Sequence, residues 1–188
     1  MSDDLDAALG EVTAALRAAT VRIEDPRGRG AGAGVVWPGG TIVTNAHVVG
    51  TRRVWVELPD GARFGATVVH RDPRRDLALV EVDDARALRR STSEIVVRAS
   101  QTLRVGELVV AVGYPLGMGG AVSAGIALRA GRLVVADVRL LPGNSGGPLA
   151  DVRGRIVGVN AMVANGLALA IPTETVLRLI QSRDVRAA

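Results

Sequence analysis

Apolar positions along this chain follow three successive rhythms. From Asp3 to Ala18, Leu5, Leu9, Val12 and Leu16 recur at helical spacing with several Ala between them. With Ser2 and Asp3 as candidate caps, this predicts a short amphipathic helix. From Val21 onward the rhythm shortens to about a dozen β runs: VRIE, AGVVW, TIVTN, RVWVEL, RFGATVVH, DLALVEV, EIVVR, ELVVAVG, AVSAGIALR, GRLVVAD, RIVGVNAMV and GLALAIP. Turn signals such as PGG, PDG and GNSGG separate several of them. After Pro172 the spacing is helical again, with Thr173 as N-cap and Val176, Leu177, Leu179 and Ile180 as the apolar face.

Many short strands with close turns imply closed or sandwiched β structure. A composition shift at Ala99 to Gly106 splits the runs into two groups of roughly six. The expected fold is all-β: two six-stranded antiparallel β-barrels, over residues 20–100 and 101–172, in one domain spanning 1–188. An N-terminal helix over 1–19 and a C-terminal helix over 173–188 flank them.

Composition narrows the classes of function. Hydrophobic residues make up 48% of 188 and charged ones 22%, an ordinary globular balance; aromatics are only 2%, so the core must be aliphatic. The pI near 11 suggests a nucleic-acid binder until its origin is traced. All 23 basic residues are Arg, so almost nothing titrates above the His range, and the net charge is only +4. Pairs such as Arg52-Arg53, Arg74-Arg75 and Arg89-Arg90 are scattered among acids with no aromatic stacking platform, which argues against a nucleic-acid partner. With no Cys there is no disulfide framework and no thiolate metal site. The first residues carry acids where a signal peptide needs a basic start, and no run reaches the length of a membrane span. As written the chain is expected in the cytoplasm, or exported if a leader has been removed.

The candidate chemistry centres on LLPGNSGGPL, Leu140 to Leu149. Gly143 to Gly147 fits G-x-S-x-G, the nucleophile elbow of α/β-hydrolases, but that fold needs a His after the Ser, and nothing after Ser145 is a His. The two histidines, His47 and His70, lie upstream. A His-first order suits the alternative solution, in which base, orienting acid and nucleophile follow one another along the chain. His47 lies where TIVTNAHVV leaves a strand, whereas His70 sits at a strand end beside Arg and Asp and reads as a surface residue. Among the acids, Asp60, Asp72, Asp83 and Asp84 fall in turns. Asp76 differs, because LALVEV follows at once and would carry its carboxylate to the edge of a buried strand, where it needs a partner such as His47.

On these residues the chain resembles the protease domain of the HtrA (DegP-like) serine peptidases of the trypsin-like superfamily. The matching blocks run in order: GAGVVWPGGTIVTNAHVV, DPRRDLALVEV, VGELVVAVGYPLG, VSAGIALRAGR, PGNSGGPL and GLALAIPTETVLRLI. The resemblance implies a His47–Asp76–Ser145 triad on two chymotrypsin-like barrels, and cleavage of polypeptide substrates, unfolded ones in particular, without a cofactor or metal. Gly143 has no side chain to stop its N–H turning inward, so with the Ser145 N–H it would form the oxyanion hole, Asn144 shaping the backbone between them. By analogy Asn160, Ala161 and Met162 line the primary specificity pocket, and Arg139 lies where related enzymes place its floor. Leu140, Leu141, Ala161 and Met162 favour an apolar pocket and cleavage after small or medium aliphatic residues.

Departures leave a second reading open. The family usually continues into a PDZ module and carries a trimerising aromatic arm, neither of which is read in this sequence, and Leu141 stands where the family commonly has Asn. A monomer or a trimer is expected, and a latent double barrel that binds peptides without cutting them is the alternative to an enzyme. Two decoys are set aside: Gly154 to Gly158 (GRIVG) mimics an activation site but reads as a strand, and Arg27 to Gly34 (RGRGAGAG) reads as a mobile loop rather than a dinucleotide fingerprint.

Overall fold

A computed structural model describes residues 2–28, 31–117 and 119–187. The chain opens with α1 (Ser2–Ala18), then forms a closed barrel from β1 (Thr20–Glu24), β2 (Ala31–Val36), β3 (Ile42–Thr44), β4 (Arg53–Glu57), β5 (Arg63–Asp72) and β6 (Leu77–Val82). Its strand order is β1-β2-β3-β6-β5-β4, all antiparallel, with β4 returning to β1. Closure leaves no free sheet edge, which is how short strands avoid pairing with other chains.

Next come a short helix α2 (Ala85–Ser91), a two-residue strand β7 (Val96–Val97) and a 3-10 turn at Ser100–Thr102. The second barrel consists of β8 (Leu108–Gly113), β9 (Ala121–Arg129), β10 (Val134–Asp137), β11 (Pro148–Asp151), β12 (Arg155–Ala164) and β13 (Leu167–Pro172). The order β11-β8-β9-β10-β13-β12 closes through β11–β12, and β7 adds to β12 in parallel. Helix α3 (Thr173–Ala187) follows. The two antiparallel six-stranded barrels and the helices at both ends match the expected architecture.

Four local readings are corrected or extended. The strand β11 is absent from the sequence-based set, because a run of Pro148, Leu149, Ala150 and Asp151 is too short and too interrupted to read as β. The turn expected at Asp83 and Asp84 leads into α2, which Asp84 caps, its carboxylate accepting from the N–H groups of Arg86 and Ala87 at 3.0 Å each. Ala31 to Gly34 belong to β2 rather than to a loop. Within α3 the buried face is Val176 and Leu179, with Ile180 packed beside them, while Leu177 is exposed. The caps proposed at Ser2 and Asp3, and the packing of Leu5, lie outside the side chains described.

Three apolar clusters hold the molecule. One fills the first barrel, with Val21, Ile23, Ile42, Val56 and Val80; one fills the second, with Val109, Ala136, Leu149 and Val157. The third lies between them and joins Val35, Val43, Leu77 and Leu79 to Val110, Val112, Ile156 and Val159. Leu16 of α1 and Val176 and Leu179 of α3 complete it, so the helices lock one barrel onto the other. Thr173 does the same with polar atoms. Its hydroxyl donates to the Arg98 carbonyl (2.8 Å) and accepts the Ser100 N–H (3.3 Å), tying α3 to the inter-barrel linker.

Candidate active site

His47 lies in the turn after β3, and Asp76 directly precedes β6, the strand paired with β3. Strand pairing therefore carries two residues 29 apart in sequence into contact. His47 Nδ1 lies 2.8 Å from Asp76 Oδ2 and 3.0 Å from Oδ1, and Oδ1 also accepts the His47 backbone N–H at 3.0 Å. One carboxylate thus fixes both the ring and the backbone of the histidine. Asp76 holds φ 53°, a left-handed conformation uncommon outside glycine. Such strain persists only where surrounding bonds hold it. Here Asn45 Nδ2 donates to the Asp76 carbonyl at 3.0 Å, and Arg71 Nε donates to the Ala46 carbonyl at 3.0 Å from the β5 side.

The loop before β11 carries Ser145, and backbone bonds shape it. Tyr114 N–H donates to Gly143 O (3.1 Å), Asn144 N–H to Leu141 O (3.0 Å), and Gly147 N–H to Asn144 O (3.1 Å). The Ser145 carbonyl accepts from Ala33 N–H at 2.8 Å, so the second barrel's loop is bonded to β2 of the first. Gly143 (φ 104°) and Gly146 (φ 88°) both require glycine: a Cβ would run into the Tyr114 carbonyl at the former and the Ala33 carbonyl at the latter. Among the described residues, neither the Gly143 N–H nor the Ser145 N–H has an acceptor. Both N–H groups are therefore left unspent by the fold.

The Ser145 hydroxyl donates to the Ala161 carbonyl at 3.0 Å, not to His47. Asn144 is buried, and its own N–H is spent within the loop. Of the residues read as pocket lining, Asn160 is fully buried; its Nδ2 donates to Pro148 O at 2.9 Å, and its backbone bonds Gly146 and Gly147, so it braces the loop. Ala161 is buried and supplies the carbonyl that Ser145 meets. Leu140 and Leu141 are half-buried, whereas Met162 and Arg139 are exposed. His70 stays on β5 and does not bond to His47 or Asp76. Among the described residues no group of three or more His, Cys, Asp or Glu gathers as a metal site would require.

Three bracing residues escaped the sequence reading: Asn45, Arg71 and Tyr114. Asn45 alone left a signal, a polar side chain beside an aliphatic strand, where burial demands a bonding partner.

A two-barrel fold with a His–Asp contact on one barrel and a glycine-framed serine on the other defines a class. The trypsin-like peptidase domain family matches residues 32–159, and the chain belongs to it. Over 158 residues it is 37% identical to a probable periplasmic serine endoprotease, DegP-like, of Bartonella henselae, covering 76% of this chain and 31% of the relative. It is 36% identical over 157 residues to the periplasmic serine endoprotease DegP of Salmonella typhimurium (74% and 32% covered). A probable periplasmic serine protease, do/HhoA-like, of Haemophilus influenzae is 34% identical over 173 residues (81% and 36%). The resemblance to HtrA (DegP-like) peptidases therefore holds, and the chain spans about a third of the length of these curated relatives. Among the described residues no helix is long and apolar enough to cross a membrane.

Proposed function

We propose that this chain is a serine endopeptidase that cuts unfolded polypeptides through an acyl-enzyme, its two barrels acting as one catalytic unit. The observation that carries the proposal is the His47–Asp76 contact at 2.8 Å. It stands on the same molecule as a serine framed by two unspent N–H donors.

In this reading Ser145 rotates about χ1, leaving the Ala161 carbonyl for His47 Nε2. As Oγ bonds to the scissile carbonyl carbon, His47 Nε2 takes the hydroxyl proton, because a neutral alcohol is a weak nucleophile. The carbonyl oxygen becomes an anion, received by the Gly143 and Ser145 N–H groups. Asp76 keeps the proton on Nδ1 and steadies the imidazolium that forms. His47 then protonates the departing amine, the C–N bond breaks, and an ester remains on Ser145. Water, deprotonated by His47, hydrolyses that ester and restores the hydroxyl. Leu140, Leu141 and the Ala161 region would receive a small or medium aliphatic side chain before the cut.

Degradation of casein, an unfolded protein, tests this. Ser145→Ala should lower turnover by about a million-fold, as in other triad hydrolases; equal rates for variant and parent would refute the assignment. One observation favours a second reading, a latent peptide-binding double barrel: the resting hydroxyl is bonded to Ala161. That reading expects casein to bind and remain uncut by the parent chain.

A further inference from the structure

A cavity of about 770 Å³ opens where the two barrels meet the start of α3. Four guanidinium-bearing side chains line it from three separate parts of the chain. Arg74 and Arg75 come from the β5–β6 turn, Arg132 from the β9–β10 turn and Arg178 from α3. Among the described residues the one carboxylate in the wall is Glu174, an anion held by neutral donors: Oε2 accepts the Ser100 hydroxyl at 2.6 Å and Oε1 the Gln101 N–H at 3.2 Å. Arg75 is paired with Asp72 at 2.5 Å. Arg178 bonds only a hydroxyl, that of Thr175 at 3.0 Å, and Arg74 and Arg132 have no carboxylate partner among the described residues.

An arginine run on a convex face is ordinarily just solvated. These arginines instead converge on a concavity whose low-dielectric walls concentrate their field. Leu133, Ile171 and Pro172 add apolar wall beside them. A guanidinium fork matches a carboxylate better than any other common biological partner except phosphate, and the apolar wall suits the flanking residues of a peptide. Arg75, in its wall, immediately precedes Asp76 in sequence.

We propose that this cavity is an exosite for acidic segments of the polypeptide substrate, held by Arg74, Arg132 and Arg178 away from the scissile bond. The link to cleavage rests on the endopeptidase reading above; the binding itself does not. In such an arrangement an acidic stretch tethers the substrate, lowering KM for acidic unfolded chains and leaving the chemical step unchanged.

The test uses fluorescence anisotropy on the full chain carrying Ser145→Ala, with a short labelled peptide of alternating glutamate and valine and its glutamine counterpart. The acidic peptide should bind about tenfold more tightly at low salt and lose that margin as salt rises. Adding Arg132→Ala and Arg178→Ala should abolish the margin while leaving the melting curve and the binding of the glutamine peptide unchanged. In the active chain the same two substitutions should raise KM for an acidic substrate and leave cleavage of a neutral one as it was. A margin that survives Arg74→Ala, Arg132→Ala and Arg178→Ala together overturns the proposal. So does tighter binding of an oligodeoxynucleotide of matched charge, which would assign the site to a different polyanion. Arginine-dependent binding by a chain that cuts nothing would sink the protease reading and leave the exosite standing.

Discussion

The two barrels hold their halves of the candidate site by different means. In the first, side chains do the holding: the Asp76 carboxylate bonds the ring and backbone of His47, and Asn45 and Arg71 brace the turns behind them. In the second, the main chain does most of it, through carbonyl and N–H bonds around glycines that leave no room for a Cβ, with the Asn160 side chain as a brace on the Pro148 carbonyl. The difference teaches where each half is vulnerable. The side-chain half should keep its shape when an atom is exchanged and lose its charge chemistry. The main-chain half should lose its shape with the smallest added atom.

Asp76→Asn is the sharpest probe of the first half. Asn accepts a left-handed backbone, so φ 53° and the fold should survive, whereas the wrong imidazole tautomer should lower kcat by about 10⁴. An unchanged melting temperature with near-normal kcat would mean that Asp76 only braces the turn. For the second half, Gly143→Ala places a methyl group against the Tyr114 carbonyl and should tilt away the N–H that we propose as an oxyanion donor. A fall in kcat of about 10²–10³ is expected, with KM little changed. Gly146→Ala collides with the Ala33 carbonyl that anchors the loop to β2, and its left-handed φ of 88° adds strain. A loss of roughly 2–5 kcal/mol in urea unfolding is expected, the sum of strain and overpacking.

The smallest effect concerns the strut beneath the second barrel. Arg98 bridges Glu107 (2.7 Å) and the buried Asp151 (3.0 Å), and Arg155 closes on Asp151 at 2.7 Å. Hydrogen bonds from Arg98, then Arg104, bring the Glu107 carboxyl down to about 2 from an ordinary 4.5. A depressed carboxylate contributes stability that is complete above about 4.5 and lost as pH falls toward 2. Glu107→Gln should therefore flatten the pH dependence of stability across that window and leave neutral activity intact. An unaltered acid limb would remove Glu107 from the strut.

The same contrast explains what could be read from the chain beforehand. Barrel strands such as Ala121–Arg129 were legible because alternation and turn residues are local signals. His47 and Asp76 were legible because a lone His after an apolar strand and an acid before one leave few pairings open. The left-handed backbone of Asp76 was not, since it arises from bonds reaching it from Asn45 and His47. The full burial of Asn160 was not legible either, because it depends on the partner that its Nδ2 finds in the Pro148 carbonyl. The β12–β13 register also shifts between Asn160 and Met162, an irregularity that alternation along a single strand does not reveal. Nor does spacing reveal that the Ser145 hydroxyl rests on Ala161, because a rotamer depends on neighbours far away in sequence.

Reaction with a fluorophosphonate probe at neutral pH, read by intact-protein and peptide mass spectrometry, addresses the central question most directly. A stoichiometric adduct on Ser145 that disappears in His47→Ala is the expected result, since only a serine that can pass its proton to that imidazole reacts. An unmodified Ser145 in a folded, casein-binding chain would contradict the account and leave a double barrel that holds polypeptides without cutting them.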